Sequence, residues 1–213
     1  MKVYVINSSV DKDRAKFSTC LANRLKEKGK TLLVSTKRSE SNIEDFYGKD
    51  GMITYDLADY FTDLASFDDI CVKEDDKLNF IIAPLVSNKH DITKEDIEKL
   101  TKEGDYKYVV FDKLDLDLIQ DKKSVFIVEE NKIPATIKED DFFLNGVGAD
   151  FDVRLFKEKI ESIGKNFLGE VKLGDGFDKI IDNLLNDNYV VVPNLSFFEK
   201  LKMKFSKWQT LYL

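Results

Sequence analysis

The stretch KVYVINSSVDKDRAKFSTCLANRLKEKGKTLLVS, residues 2–35, decides the fold. Lys2 to Asn7 form a β-branched and aromatic run, which predicts a strand. Asp13 to Lys28 then place Phe17, Leu21 and Leu25 on one stripe with Ala22 beside them, which predicts a helix. Gly29 closes that helix in the usual C-terminal position, and Thr31 to Ser35 make a second strand. A strand, a helix and a strand in so short a span require parallel strands joined by a crossover.

The alternation continues outward from that unit. Tyr55 to Leu64 carries Leu57, Ala58, Phe61 and Leu64 at helical spacing, Leu78 to Ala83 predicts a strand, and Thr93 opens a charged helix. Tyr108 to Phe111 and Val125 to Val128 are apolar without alternation, the pattern of strands buried on both faces. A helix is expected near Val153 to Ile163, a strand at Phe167–Leu168, a helix at Phe177 to Leu185 and a strand at Tyr189 to Val192. Phe142-Phe143-Leu144 followed by Asn145-Gly146-Val147-Gly148 reads either as core followed by a turn or as a partner-binding loop. The acid-rich Asp68 to Asp76 reads as a solvated loop or helix face. The fold class is therefore α/β, a mostly parallel central sheet flanked by helices. Residues 1–193 form one domain, and a break at Pro193-Asn194 sets off residues 194–213.

At 213 residues, 43% apolar and 34% charged, the chain is long enough to bury a core and too apolar for wholesale disorder. A net charge of −7 argues against a general nucleic-acid binder. That average hides a gradient. Residues 1–38 hold ten Lys/Arg against three Asp/Glu, residues 39–193 nineteen against thirty-six, and residues 194–213 four against one. Cys20 and Cys71 do not make a disulfide framework and predict reduced thiols in a cytosolic protein; Cys20, between Phe17 and Leu21, reads as a packed thiol. The single histidine, His90, cannot build a metal site with two distant thiols.

In such a fold ligands sit at the carboxyl ends of the strands, so the first place to look is Asn7 to Arg14, NSSVDKDR. A phosphate-binding loop needs glycines that let backbone N–H groups close on phosphate, a Lys for charge and a Ser/Thr for magnesium. This loop has no Gly, and its two Asp repel phosphate; taken alone it reads as a surface connection.

Its surroundings nevertheless resemble the MinD/ParA family of deviant P-loop ATPases, which open with a strand, a loop of the form GKGGVGKTT, a helix closing on Gly-Lys, a strand and Asp-x-Asp. VINSSVDKDRA followed by FSTCLANRLKEKGK lies over that unit without gaps. Asn42-Ile43 and Gly48, Tyr55-Asp56-Leu57-Ala58-Asp59, Pro84 with Ser87, Thr93, Tyr108 to Asp112, and Leu168-Gly169-Glu170-Val171 extend the resemblance over most of the chain. It implies a P-loop NTPase-like, Rossmann-like three-layer fold. It places the family's signature lysine on Ser9, its P-loop lysine on Arg14, its magnesium Thr on Ala15, and its glycines on Ser8, Val10, Asp11 and Asp13. The Asp pair after the second strand falls on Ser35 and Lys37; Asp112 alone keeps its identity. The positions that could still face a nucleotide are Ser9, Lys12, Arg14 and Asp112, although a guanidinium fits a lysine's slot poorly, and Asp112 also reads as a polar residue at a strand end. Lys113-Leu114 replaces the family's Ser/Thr-Pro, and no adenine-contacting segment is recognisable. The expectation is a pseudo-ATPase that uses no cofactor. The alternative is an active or weakly active ATPase binding ATP with magnesium through an altered loop.

The tail after Pro193 carries a second signal. Ser196 and Glu199 form a capping-box pattern that opens a helix. On it Phe197, Phe198, Leu201, Phe205, Trp208, Leu211 and Tyr212 gather in one arc, while Lys200, Lys202 and Lys207 flank its edges. An aromatic arc with flanking lysines suits an amphipathic helix lying in an anionic membrane interface. It equally suits a terminal helix docked on the protein's own sheet or on a dimer partner. Relatives in the resembled family also end in a short membrane-targeting helix, and relatives serve division, pilus and secretion assemblies. The expected role is therefore a scaffold or localisation factor in the cytoplasm, peripheral on the inner face of the cell membrane. It would hold an unidentified protein partner, as a homodimer or a monomer, and bind no nucleic acid.

Overall fold

A computed structural model describes residues 1–129, 132–196 and 198–199. Eight strands form one sheet: β1 (Lys2–Ser8), β2 (Thr31–Ser35), β3 (Val72–Lys73), β4 (Leu78–Ile81), β5 (Tyr108–Asp112), β6 (Lys123–Glu129), β7 (Asp141–Val147) and β8 (Asn166–Lys172). Their order across the sheet is β3-β4-β2-β5-β1-β6-β7-β8, and every neighbouring pair is parallel except β3 with β4. The helices are α1 (Arg14–Lys26), α2 (Leu57–Phe61), α3 (Phe67–Ile70), α4 (Lys94–Leu100), α5 (Lys157–Ser162) and α6 (Asp178–Leu185).

The two-residue period of the strands sorts the core into layers. Tyr4 and Ile6 of β1 pack with Leu33, Phe80 and Val110 under Phe17, Leu21 and Leu25 of α1 and Ile181 of α6. Val3 and Val5 point the other way and join Leu32, Val34, Val109 and Phe111 under α2 and α4. On that second face, further along the sheet, Phe142, Leu144 and Phe167 pack with Ile160 of α5. Phe17 anchors the first layer, with its ring 4.9 Å from Phe143 and 5.3 Å from Phe177.

Two expectations need correction. Phe142 to Val147 is strand β7, not a turn or partner-binding loop, because β6 and β8 cover both its edges and Phe142, Phe143 and Leu144 are wholly buried. The Asn-Gly pair that signalled a turn instead bends the strand: Gly146 takes φ +66°, and pairing with β8 shifts register on either side of Leu144. The acid-rich segment carries its acids on helix and loop as expected, Asp68 and Asp69 on α3 and Glu74 to Asp76 in a bend, with the short antiparallel edge strand β3 between them. Tyr189 to Val192 is not a strand; only Val190 N–H reaches across, to the Phe167 carbonyl at 2.7 Å. The tail helix lies outside the described residues except for Phe198 and Glu199. No described helix is long and apolar enough to cross a membrane.

Candidate nucleotide-site remnant

Three strand ends and one helix start converge on Asp112. Parallel register sets Asp112, the last residue of β5, beside Ile6 of β1 and Ser35 at the end of β2. Arg14 opens α1, and Ser18 follows one turn later on the same helix face. All four residues are buried, Arg14 with no exposed surface. The Ser18 hydroxyl donates to Asp112 Oδ1 at 3.0 Å and the Ser35 hydroxyl to Oδ2 at 3.0 Å. Arg14 Nη1 lies 2.6 Å from the same Oδ2. That contact is an ion pair without hydrogen-bond alignment, for neither terminal nitrogen of Arg14 has a hydrogen-bond partner among the described residues. Burial pushes the Asp112 carboxyl up from its ordinary value, against the lowering effect of Arg14 and the two hydroxyls.

Asp11 completes the cluster from inside the loop. Its Oδ1 accepts from the Ser8 hydroxyl at 3.2 Å and from Arg14 Nε at 3.1 Å, and Lys113 Nζ lies 3.3 Å away. Partial burial alone would raise the Asp11 carboxyl; Arg14 and Lys113 outweigh it and hold the group below the usual carboxylate value. This carboxylate thus accepts from a hydroxyl, a guanidinium and an ammonium, the donors that would otherwise meet an oxyanion. The loop Ser9 to Asp13 closes over it through a short 3-10 turn at Asp11–Asp13.

Of the four expected positions, the structure brings two together, Arg14 and Asp112. Ser9 turns away: its amide and hydroxyl both go to the Ile127 carbonyl, at 3.0 and 3.4 Å. Lys12 is exposed and borders a shallow hollow with Asp13, Asn145 and Leu173. Sequence reading missed Asp11, Ser18, Ser35 and Lys113 as members of the cluster. The spacing of Arg14 and Ser18, four residues apart on one helix, was the available signal for Ser18. Lys113 has none in sequence, because it reaches Asp11 through a left-handed backbone, φ +67°.

At the tail junction the expected capping box forms. Ser196 N–H donates to Glu199 Oε2 at 2.8 Å, and Glu199 N–H to the Ser196 hydroxyl at 3.3 Å. Arg154, held by Asp152 at 2.7 Å, grips Glu199 with Nη1 at 2.7 Å. The Ser196 hydroxyl and amide, with Arg154, hold the Glu199 carboxyl down to about 2. Phe198 beside it is 76% exposed. Phe197, Lys200, Leu201, Lys202, Phe205, Lys207, Trp208, Leu211 and Tyr212 lie outside the described residues.

Solved structures share this architecture. MinD, a cell division protein of Aquifex aeolicus, superposes over 90% of this chain and 92% of its own, with a TM-score of 0.61 and 14% identity. The septum site-determining protein MinD of Pyrococcus horikoshii, complexed with Mg-ADP, covers 85% of each chain at a TM-score of 0.60 and 16% identity. A plasmid partition protein of Borrelia burgdorferi covers 88% of this chain and 98% of its own at 0.59 and 15%. The fold is that of the MinD and ParA P-loop ATPases. No protein-family model matches the sequence, and no curated protein does either.

A MinD-type fold implies a magnesium nucleotide at the Ser8–Arg14 loop, and the residues present do not fit one. Every position that would be glycine carries a side chain, and that of Asp11 fills the loop with negative charge. Ala15 offers no hydroxyl to a metal. Both oxygens of Asp112 are engaged by Ser18, Ser35 and Arg14.

Proposed function

We propose that this MinD/ParA-fold protein has given up nucleotide chemistry and works as a scaffold or localisation factor at an anionic membrane surface, serving a division, pilus or secretion assembly. The observation that carries the reading is the closed cluster of Arg14, Asp112 and Asp11. It satisfies internally the charges that an ATPase keeps for phosphate and magnesium. Each stabilising donor lost from such a site costs about 10²–10³ in rate, and here the Lys, the Thr and the glycine-borne amides are lost together.

The membrane role is supported by the aromatic, lysine-flanked pattern of the last residues and by the Arg154–Glu199 grip that ties its start to the body. On this reading the chain is cytoplasmic and peripheral on the inner face of the membrane. One solved relative, MinD of Aquifex aeolicus, is found in a complex with MinC. A protein partner is proposed for this chain by that likeness, and so is a homodimer that needs no nucleotide. The competing reading, hydrolysis with Lys12 and Arg14 facing the phosphates, runs against the burial of Arg14 and the outward position of Lys12.

The deciding experiment measures magnesium-ATP binding by calorimetry and phosphate release on the full chain. The expected outcome is neither saturable binding nor turnover. Micromolar affinity accompanied by phosphate release would overturn the proposal.

A further inference from the structure

Beside the closed loop, on the same C-terminal edge of the sheet, lies a cleft of about 440 Å³. The loops following β2, β4 and β5, three strands adjacent in the sheet, wall it in, and no residue from Ser8 to Arg14 lines it. Four cations border it: Lys37, Arg38, Lys89 and Lys113. Among the described residues the lining carboxylates are Asp91 and Asp115, in a body whose middle segment is otherwise strongly acidic.

Much of the donor capacity of these cations is unspent. Lys37 is exposed and has no partner among the described residues. Arg38 is held through Nη1 alone, 2.8 Å from Glu44. Lys113 contacts one carboxylate, Asp11. Lys89 spends two donors, on Asp59 at 2.6 Å and Asp56 at 3.2 Å, and keeps a third. Three of the four are thereby held in place from behind, which lowers the entropy cost of closing on a ligand.

The backbone adds to this. Beyond the turn at Ser87–Asn88, the N–H groups from Val86 to Ile92 make no close hydrogen bond among the described residues, whereas that of Leu85 just before them goes to Asp56 at 2.9 Å. Asn88 in that loop and Lys113 opposite both hold left-handed backbone, φ +59° and +67°. Side-chain-bearing residues adopt it at a cost, and such strain concentrates at binding sites. Pro84, Val86, Ile92 and Leu118 supply apolar wall.

From this juxtaposition we infer that the cleft is a binding site for a small organic oxyanion, a phosphate ester or polycarboxylate whose charged end meets Lys37, Arg38 and the Val86–Ile92 amides while its body lies on the apolar wall. The volume falls in the range of small-ligand pockets, about 300–1,000 Å³. A bare inorganic anion would leave the apolar wall uncovered, and a nucleotide bound in family fashion would lie on the Ser8–Arg14 loop instead.

Calorimetric titration of the full chain at physiological salt, with phenyl phosphate and with citrate, tests it. One saturable site is expected, weakened about tenfold or more by Lys37→Glu, a loss of about 1.4 kcal/mol or more, and untouched by Lys12→Glu. Because Lys37 makes no hydrogen bond or ion pair among the described residues, the variant should melt at the wild-type temperature. Binding of phenyl phosphate alone assigns a phosphate ester, and of citrate alone a polycarboxylate; either supports the site. Absence of saturable binding by both, equal binding by Lys37→Glu, or loss of binding through Lys12→Glu overturns it. ATP is itself a phosphate ester, so the two readings are separated by turnover and by Lys37→Glu: binding weakened by that variant belongs to the cleft, and phosphate release to the Ser8–Arg14 loop.

Discussion

Replacing Asp112 by Asn strands the guanidinium of Arg14 in the interior. Removing one partner of a buried ion pair costs about 3–5 kcal/mol. The lower end is expected here, because Arg14 Nε keeps Asp11 at 3.1 Å and that carboxylate is partly exposed. Arg14→Met strands the opposite charge: Asp112 would retain only the Ser18 and Ser35 hydroxyls, its carboxyl would be pushed further up, and about 3 kcal/mol should again be lost. The double variant Arg14→Met/Asp112→Asn leaves no buried charge without a partner, while the Asn carbonyl still accepts from a hydroxyl. It should cost about 2 kcal/mol, so that the coupling energy between the two sites is several kcal/mol. Urea unfolding followed by circular dichroism, extrapolated linearly to water, reads all four chains of the cycle. If each single variant cost under about 1 kcal/mol, or the double equalled the sum within about 0.5 kcal/mol, the reasoning would be refuted. The pair would then not be what holds the loop shut.

Two further outcomes follow from the same chemistry. On anionic vesicles the full chain should co-sediment and a chain ending at Asn194 should not, with pelleting weakened by salt, since each interfacial lysine contributes about 1 kcal/mol; equal pelleting of the two chains removes the membrane role. Asp11, held below its ordinary value by Arg14 and Lys113, contributes stability that is present above the unfolded value near about 3.9 and lost as pH falls through the lower folded value. The melting-temperature gap between wild type and Asp11→Asn should therefore be steady from about pH 7 to 5 and close towards about pH 3; a gap that widened on acidification would sink this reading of Asp11.

The sheet's centre was legible in the sequence because burial on both faces leaves a continuous apolar run, as in Tyr108 to Asp112, and because α1 carries its stripe at one helical period. β7 was misread for the opposite reason: Asn145-Gly146 is a turn signal locally, yet neighbours on both edges override local preference. The tail's capping box was legible because Ser196 and Glu199 are three residues apart and need nothing else from the chain. The candidate site was legible in Arg14 and Asp112, which the structure brings together, and otherwise as absences, namely missing glycines, a missing Thr and a replaced Lys. What fills their place depends on contacts 77 to 94 residues apart, Ser35 and Ser18 to Asp112, and no local pattern encodes them. The cleft beside it was invisible for the same reason, since Lys37, Lys89 and Lys113 come from three separate loops.

The one matching site residue, Asp112, invites the inference that a metal position survives. Burial argues otherwise. Arg14 has no exposed surface, and a guanidinium there requires a carboxylate within reach. At the end of β5, between Ile6 and Ser35, Asp112 occupies the position from which one can reach it. Its identity is thus accounted for by the terminal nitrogens of Arg14, whose Nε is held by Asp11. The dependence also runs the other way. An Arg14→Lys substitution would supply the lysine of the resembled loop but place a compact ammonium between Asp11 and Asp112, where both carboxylates would hold it. The missing glycines would still keep backbone N–H groups from closing on a phosphate. On the proposed reading the closure of the loop is therefore a property of the cluster as a unit, and no single substitution reopens it.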